Sequence, residues 1–251
     1  MAKMTVLDMT QDILSSMGSD NVNSINDTYE AKQVSFILKN TYFDIITRRK
    51  WDHLGTLGQL TASGTTDRPT HMDLPARTQR VEFIKYNKKT SASAKDSYED
   101  VAYMTPQAFI DILESRDSTA TNIQEVMDTT GVPLLIRNDS QPTAWTSFDE
   151  TTVVFDSFYS DLDSTLQTSK TKLFMFREGE FTRADTHTPD LPSEAFPYFL
   201  AEAKSICFYE LLQDPNEKEE QRSRKLQGAM NQTDWNKRGS TRIRSSYGRR
   251  V

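Results

Sequence analysis

The chain has 251 residues, 36% hydrophobic and 26% charged, enough apolar material for one large domain or two modest ones without staples. A single cysteine excludes a disulfide framework. No run approaches the roughly eighteen apolar residues of a membrane span, and MAKMTVLDMTQ lacks a signal-peptide core, so a soluble, non-secreted protein is expected.

Residues 5–17 place Val6, Met9, Ile13 and Met17 on one helical face, and Gly18 follows where a helix C-cap belongs. After the polar linker SDNVNSI, Asp27 and Glu30 form a capping-box pattern, predicting a helix from about Thr28 to Lys50. That helix has two apolar stripes. Val34, Ile37, Leu38, Thr41, Tyr42 and Ile45 share one face, whereas Tyr29, Phe36 and Phe43 fall nearly opposite. Two faces need two partners: either the helix is sandwiched in its own domain, or the aromatic side contacts another subunit.

From Trp51 to about Asp190 the periodicity becomes alternating. Strands are predicted over 56–61, 80–86, 98–104, 133–138, 143–148, 151–158 and 172–176, with Asp149-Glu150 turning a hairpin. One helix interrupts them, with Thr105 as cap, Pro106 at its first position and Phe109, Ile110 and Leu113 on one side. The polar stretches GTTDRPT, KKTSASAKDS and DSTATNI are read as surface loops.

Residues 191–232 return to helix. The first half is apolar on almost every turn, through Tyr198, Phe199, Leu200, Ala203, Ile206, Cys207, Leu211 and Leu212, and requires covering. The second half is polar, with Asp214 as expected cap, Pro215 at the first helical position, and Glu220 four residues before Arg224. Only Leu226, Ala229 and Met230 interrupt its polar surface, so docking to another chain would stabilise it.

Charge is unevenly distributed. From Trp235 onward there are six basic residues and no acidic one; removing six from 30 leaves 24 basic against 36 acidic, a body of net −12. A basic tail on an acidic body is either an arm for an acidic partner or a solubilising tail. The expected fold class is α+β: a helical bundle from 1–51 and 191–232, a β-rich sandwich or barrel-like insertion over 52–190, and an extended basic arm over 233–251.

Signatures of catalysis are missing. His53, His71 and His187 are dispersed without metal-ligand spacing, and there is no phosphate-binding glycine loop or nucleophile elbow. Acidic pairs such as Asp161 and Asp163 are read as solvated surface, and Trp145 as core or interface packing rather than a sugar platform. Cys207 is read as a small buried thiol. No metal, cofactor or small-molecule substrate is expected.

Several short motifs resemble a known family. Ile13, Leu14, Ser15, Ser16, Met17 and Gly18, then Val22, Asn23, Ser24 and Ile25, then Arg49, Lys50 and Trp51 are similar to the opening of the tail tubular protein A family. These are head-to-tail adaptors of T7-like short-tailed phages. PTAWTSFDETTVVFDSF and the closing helix pair resemble later parts of the same family, although Lys50 stands where a glycine is usual.

The resemblance implies a non-enzymatic virion protein of the tail and neck, made in the host cytoplasm. It would form a dodecameric ring between the portal protein ring and the tail nozzle protein, with DNA as passing cargo and no membrane contact. Lys237, Arg238, Arg242, Ile243, Arg244, Tyr247, Arg249 and Arg250 would form a portal-binding arm. Tyr29, Phe36, Phe43, Glu220 and Arg224 would lie at subunit or portal interfaces. The alternative is a nucleic-acid-binding regulator that uses the same basic tail.

Overall fold

The computed structural model describes residues 3–89 and 94–239, with the backbone alone for 233–239. The protein is α+β. Five α-helices are described: α1 (Val6–Met17), α2 (Tyr29–Thr47), α3 (Pro106–Glu114), α4 (Phe196–Leu212) and α5 (Glu217–Gly239). The chain divides into two compact units, one of Met1–His53 with Gly179–Val251, the other of Leu54–Glu178.

In the first unit each helix start has a local cause. Thr5 Oγ accepts from Asp8 N while the Asp8 carboxylate accepts from Thr5 N, both at 3.1 Å, and Gly18 closes α1 at φ 76°. Thr28, not Asp27, caps α2 by accepting from Ala31 N at 3.1 Å. Asp27 instead takes Asn23 N and Ser24 N, each at 2.8 Å, and so shapes the preceding turn.

The expected cap at Asp214 is also displaced. Gln213 in the left-handed region (φ 54°) breaks the chain away from α4, and α5 begins after Asn216, whose side-chain oxygen accepts from Glu219 N at 3.3 Å. At its other end α5 runs on to Gly239, so residues 233–239 of the expected extended arm are helical. Residues 240–251 lie outside the described residues.

Helices α1 and α2 pack on each other and on α4, and α4 packs on α5. The face of α2 carrying Val34, Leu38 and Tyr42 is fully buried, as are Phe199, Ala203 and Cys207 of α4. The last turns of α4 are less covered than its composition suggests, since Tyr209 and Leu212 are exposed.

The expected β boundary at Asp190 moves back to Glu178, because 179–190 packs with the helices. Phe181 lies 5.3 Å from Tyr42, and a Cβ added at Gly179 would meet the Tyr42 hydroxyl at 2.8 Å. His187 O accepts from Val6 N at 2.8 Å, Asp185 O accepts from Leu7 N at 3.3 Å, and the Asp185 carboxylate accepts from Ile25 N at 2.9 Å. Donors at the start of α1 are thus satisfied from across the chain. Lys204 of α4, almost buried, pairs with Asp12 at 2.9 Å and donates to Ser16 at 3.0 Å on α1.

The second unit holds β1 (Gly55–Gly58), β2 (Thr61–Ala62), β3 (His71–Asp73), β4 (Thr78–Asn87), β5 (Tyr98–Tyr103), β6 (Ile123–Met127), β7 (Pro133–Arg137), β8 (Ala144–Thr146), β9 (Thr152–Phe155) and β10 (Thr171–Arg177). Eight form a sheet in the order β1-β10-β4-β5-β8-β9-β3-β2, and β6 and β7 form a separate pair. All neighbours are antiparallel except β5 and β8. The two ends of the order, β1 and β2, are separated in sequence only by Gln59 and Leu60, so the sheet curls.

Alternation sets the faces. In β10, Leu173 and Met175 point into the core, while Phe174 points outward and stacks on Phe83 of β4 at 5.8 Å. Phe109 and Leu113 of α3 join the core with Trp145, Phe155 and Ile136, whereas Ile110, expected beside them, is more exposed. The hairpin of β8 and β9 is present with shorter strands. Asp149 closes its turn by accepting from Thr151 N at 2.8 Å and Thr152 N at 2.5 Å, which replaces the usual glycine chemistry.

Phe199→Ala should empty a fully buried ring site beside Tyr42 and cost about 3–5 kcal/mol, measured as a lower denaturant midpoint at unchanged slope. Phe36→Ala, on the exposed face of α2, should cost about 1 kcal/mol or less in the same experiment.

Candidate interaction surfaces

Tyr29, Phe36 and Phe43 lie on α2 seven residues apart, at 76%, 50% and 37% exposure, opposite the buried face. Part of this stripe is covered by its own chain. The Arg183 guanidinium sits 3.5 Å from the Phe36 ring centroid, a cation–π placement, and is held there by donating to Ser35 Oγ at 3.1 Å. Phe43 meets Tyr42 edge-on at 5.4 Å. Tyr29 is the most open of the three.

Glu220 and Arg224 pair along the exposed side of α5 and line a groove of about 710 Å³ between α4 and α5 with Ile206, Tyr209 and Pro215. An exposed pair of this spacing contributes only about 0.3–0.5 kcal/mol, so its stabilising effect is small. Lys237 and Arg238 belong to the last helical turns of α5. Arg242, Ile243, Arg244, Tyr247, Arg249 and Arg250 fall outside the described residues.

The β unit has a second groove, of about 640 Å³, that composition and spacing did not point to. Tyr103 at the end of β5 is 58% exposed and braced edge-on against the nearly buried Trp145 of β8, with centroids 4.9 Å apart. Four carboxylates line the same groove: Glu82 on β4, Asp149 and Glu150 at the hairpin tip, and Glu178 after β10. Among the described residues Arg80 is the one basic residue lining it, and it is held by Glu82 at 3.5 Å. These residues come from four separate segments, and only Asp149 and Glu150 are sequence neighbours.

Two buried polar clusters hold the strands that shape this unit. Arg116 Nη1, at the end of α3, donates to Leu135 O and Asp156 O, each at 2.8 Å, and its other terminal nitrogen lies 3.5 Å from the Asp156 carboxylate. Asp156 also accepts from Thr143 N and Ala144 N at 2.9 Å and from Thr143 Oγ at 2.8 Å. One carboxylate thereby links α3 to the chain around β8 and β9.

The second cluster joins His71 of β3 to Asp128 in the β6–β7 turn, 3.1 Å apart and nearly buried. Burial lowers the His71 pKa below 6.5, against the opposing pull of Asp128. Burial alone would raise the Asp128 carboxyl, but bonds from Thr130 N and Oγ, then His71, outweigh it and bring the pKa to about 2. His71 is therefore neutral at pH 7 and Nε2 carries the proton donated to Asp128, which matches a buried Nδ1 without a partner.

Cys207 is buried and burial pushes its thiol up to about 12. Among the described residues, no three His, Cys, Asp or Glu side chains group to hold a metal ion, and no helix is long and apolar enough to cross a membrane. The chain matches no known protein-family model and no curated protein.

Asp156→Ala should strand the buried Arg116 charge and cost about 3–5 kcal/mol in denaturant unfolding, with Asp156→Asn milder because it keeps an acceptor. Acid should act through the other cluster. The unfolded chain binds a proton at His71 as pH falls through 6.5 and at Asp128 as it falls through 3.8, before the folded protein does. Stability is therefore lost in both steps on acidification, and His71→Gln should flatten the first in a melting-temperature series from pH 8 to 5.

Proposed function

We propose that the chain is a structural virion protein, a phage head-to-tail adaptor of the tail tubular protein A type. In this reading twelve copies form a ring that joins the portal to the tail nozzle and encloses part of the DNA ejection channel. The two units are then a helical bundle and a barrel-like β-rich insertion, the bundle meeting the portal and neighbouring copies and the β-rich part meeting the nozzle. The basic segment after Trp235 serves as the portal-binding arm.

One observation supports this most: α2 buries one apolar face completely and leaves Tyr29, Phe36 and Phe43 along the other. A heptad-spaced aromatic stripe on a helix that is already packed suits a contact between copies. The charge partition supports it. An acidic body does not grip a passing duplex, whereas the basic end fits an acidic neighbour. The motif resemblance at Ile13–Gly18, Val22–Ile25 and Arg49–Trp51 supplies the identity of the partners.

The decisive mixture is the full-length chain with the portal ring of the same phage, followed by sedimentation and electron microscopy. A joint ring is expected with the native chain, and loss of joint sedimentation with Arg242, Arg244, Arg249 and Arg250 changed to Glu while the melting temperature stays unchanged. Unimpaired binding by that variant would remove the arm from the reading. Absence of any joint complex, with steeply salt-dependent duplex binding by the native chain, would replace the adaptor with a nucleic-acid-binding regulator.

A further inference from the structure

We propose that the acidic aromatic groove of the β unit receives the arginine-rich segment 240–251 of a second copy of this chain. The groove has the chemistry that recognises guanidinium groups. Tyr103 offers an open ring face fixed by Trp145, and arginine stacks on such faces while its planar fork engages carboxylates. Glu82, Asp149, Glu150 and Glu178 line the same groove against the single Arg80, a net of −3 from the described lining side chains. Phosphates and acidic ligands are repelled by that balance.

The occupant is found in the same sequence. TRIRSSYGRR carries Arg242, Arg244, Arg249 and Arg250 with no acidic side chain, the highest density of arginine in the chain. Twelve residues follow Gly239 and span up to about 40 Å when extended. They are carried by a helix of 23 residues, about 34 Å long, whose described side chains are mostly solvent-facing, with Ser223 alone fully buried. Much of the surface of this helix faces solvent although it packs on α4, and the segment it carries is matched in charge by the groove of a neighbouring copy.

This assignment goes beyond the adaptor reading and does not need a portal. An arm seated in a neighbour's groove would have to leave it before engaging any other acidic surface, so the two uses are exclusive for one arm at one time.

The test uses two differently tagged full-length chains, one carrying Ser245→Cys in the arm and the other Gln79→Cys in the groove. Cys207 is buried and does not compete. Mild oxidation without portal should give a disulfide between the two tags. It should fall about tenfold or more when the groove chain also carries Glu150→Lys and Glu178→Lys, and likewise at high salt with the groove carboxylates intact.

Tyr103→Ala should weaken it too, and melting curves confirm that each variant folds. Equal cross-linking to a control Asp111→Cys on the exposed side of α3, or indifference to both charge reversal and salt, would overturn the proposal. So would a disulfide that forms only within a chain carrying both cysteines, since that places the arm in its own groove. Because no portal enters the mixture, failure here leaves the adaptor reading intact, and failure of portal binding leaves this result standing.

Discussion

The burial of Tyr42 is the constraint on which the helical unit depends. Its ring is completely enclosed, with Phe181 and Phe199 against it and Gly179 beneath the hydroxyl. These partners come from the far end of the chain, more than 130 residues later in sequence. Neither terminal stretch can bury its apolar face until the other arrives, and the loop closure that joins them is paid for by the rings they bury together. The bonds from Val6, Leu7 and Ile25 to Asp185 and His187 follow from the same closure.

The β unit solves a different problem. Its strands are short, several of two to four residues, and ladder hydrogen bonds alone would leave loops and the α3 terminus poorly fixed. Asp156 and Asp128 supply the missing ties, each accepting several bonds from residues distant in sequence or from the turn that carries it. Buried carboxylates cost desolvation, which the surrounding donors offset. The low pKa of Asp128 is the signature of that balance.

The two units differ in what they present. The helical unit offers an aromatic stripe and a polar helix leading to basic residues. The β unit offers a concave acidic surface floored by a rigid aromatic pair. A positive chain end and a negative groove within one sequence are complementary in charge. Association through charge is screened by salt, which leaves such contacts exchangeable.

Much of this was legible in order along the chain. Helical periodicity marked α1, α2 and α4, Thr105-Pro106 marked the start of α3, and alternation marked β4, β5, β7 and β10. The caps were less so: Thr28 and Asn216 were passed over for Asp27 and Asp214, because adjacent cap-forming residues differ only in which one the chain geometry aims at the free N–H groups. β2 and β3 went unread for lack of length, and β6, in a mostly polar stretch, is defined by pairing with β7. The stripe of Tyr29, Phe36 and Phe43 was visible as a pattern, since helical spacing is local.

Groove, buried clusters and the limit at Glu178 were not visible, because each joins residues from separate segments and no local periodicity encodes their meeting. Sequence alone determined most of the helices and the longer strands, where charge accumulates and which helix faces are apolar, all set by interactions within a few residues. Only tertiary structure decided that Arg116 would find Asp156, that His71 would be neutral against Asp128, and that Tyr103 would stand open among four carboxylates. Those outcomes depend on desolvation and packing between distant parts of the chain, which exist only once it has folded.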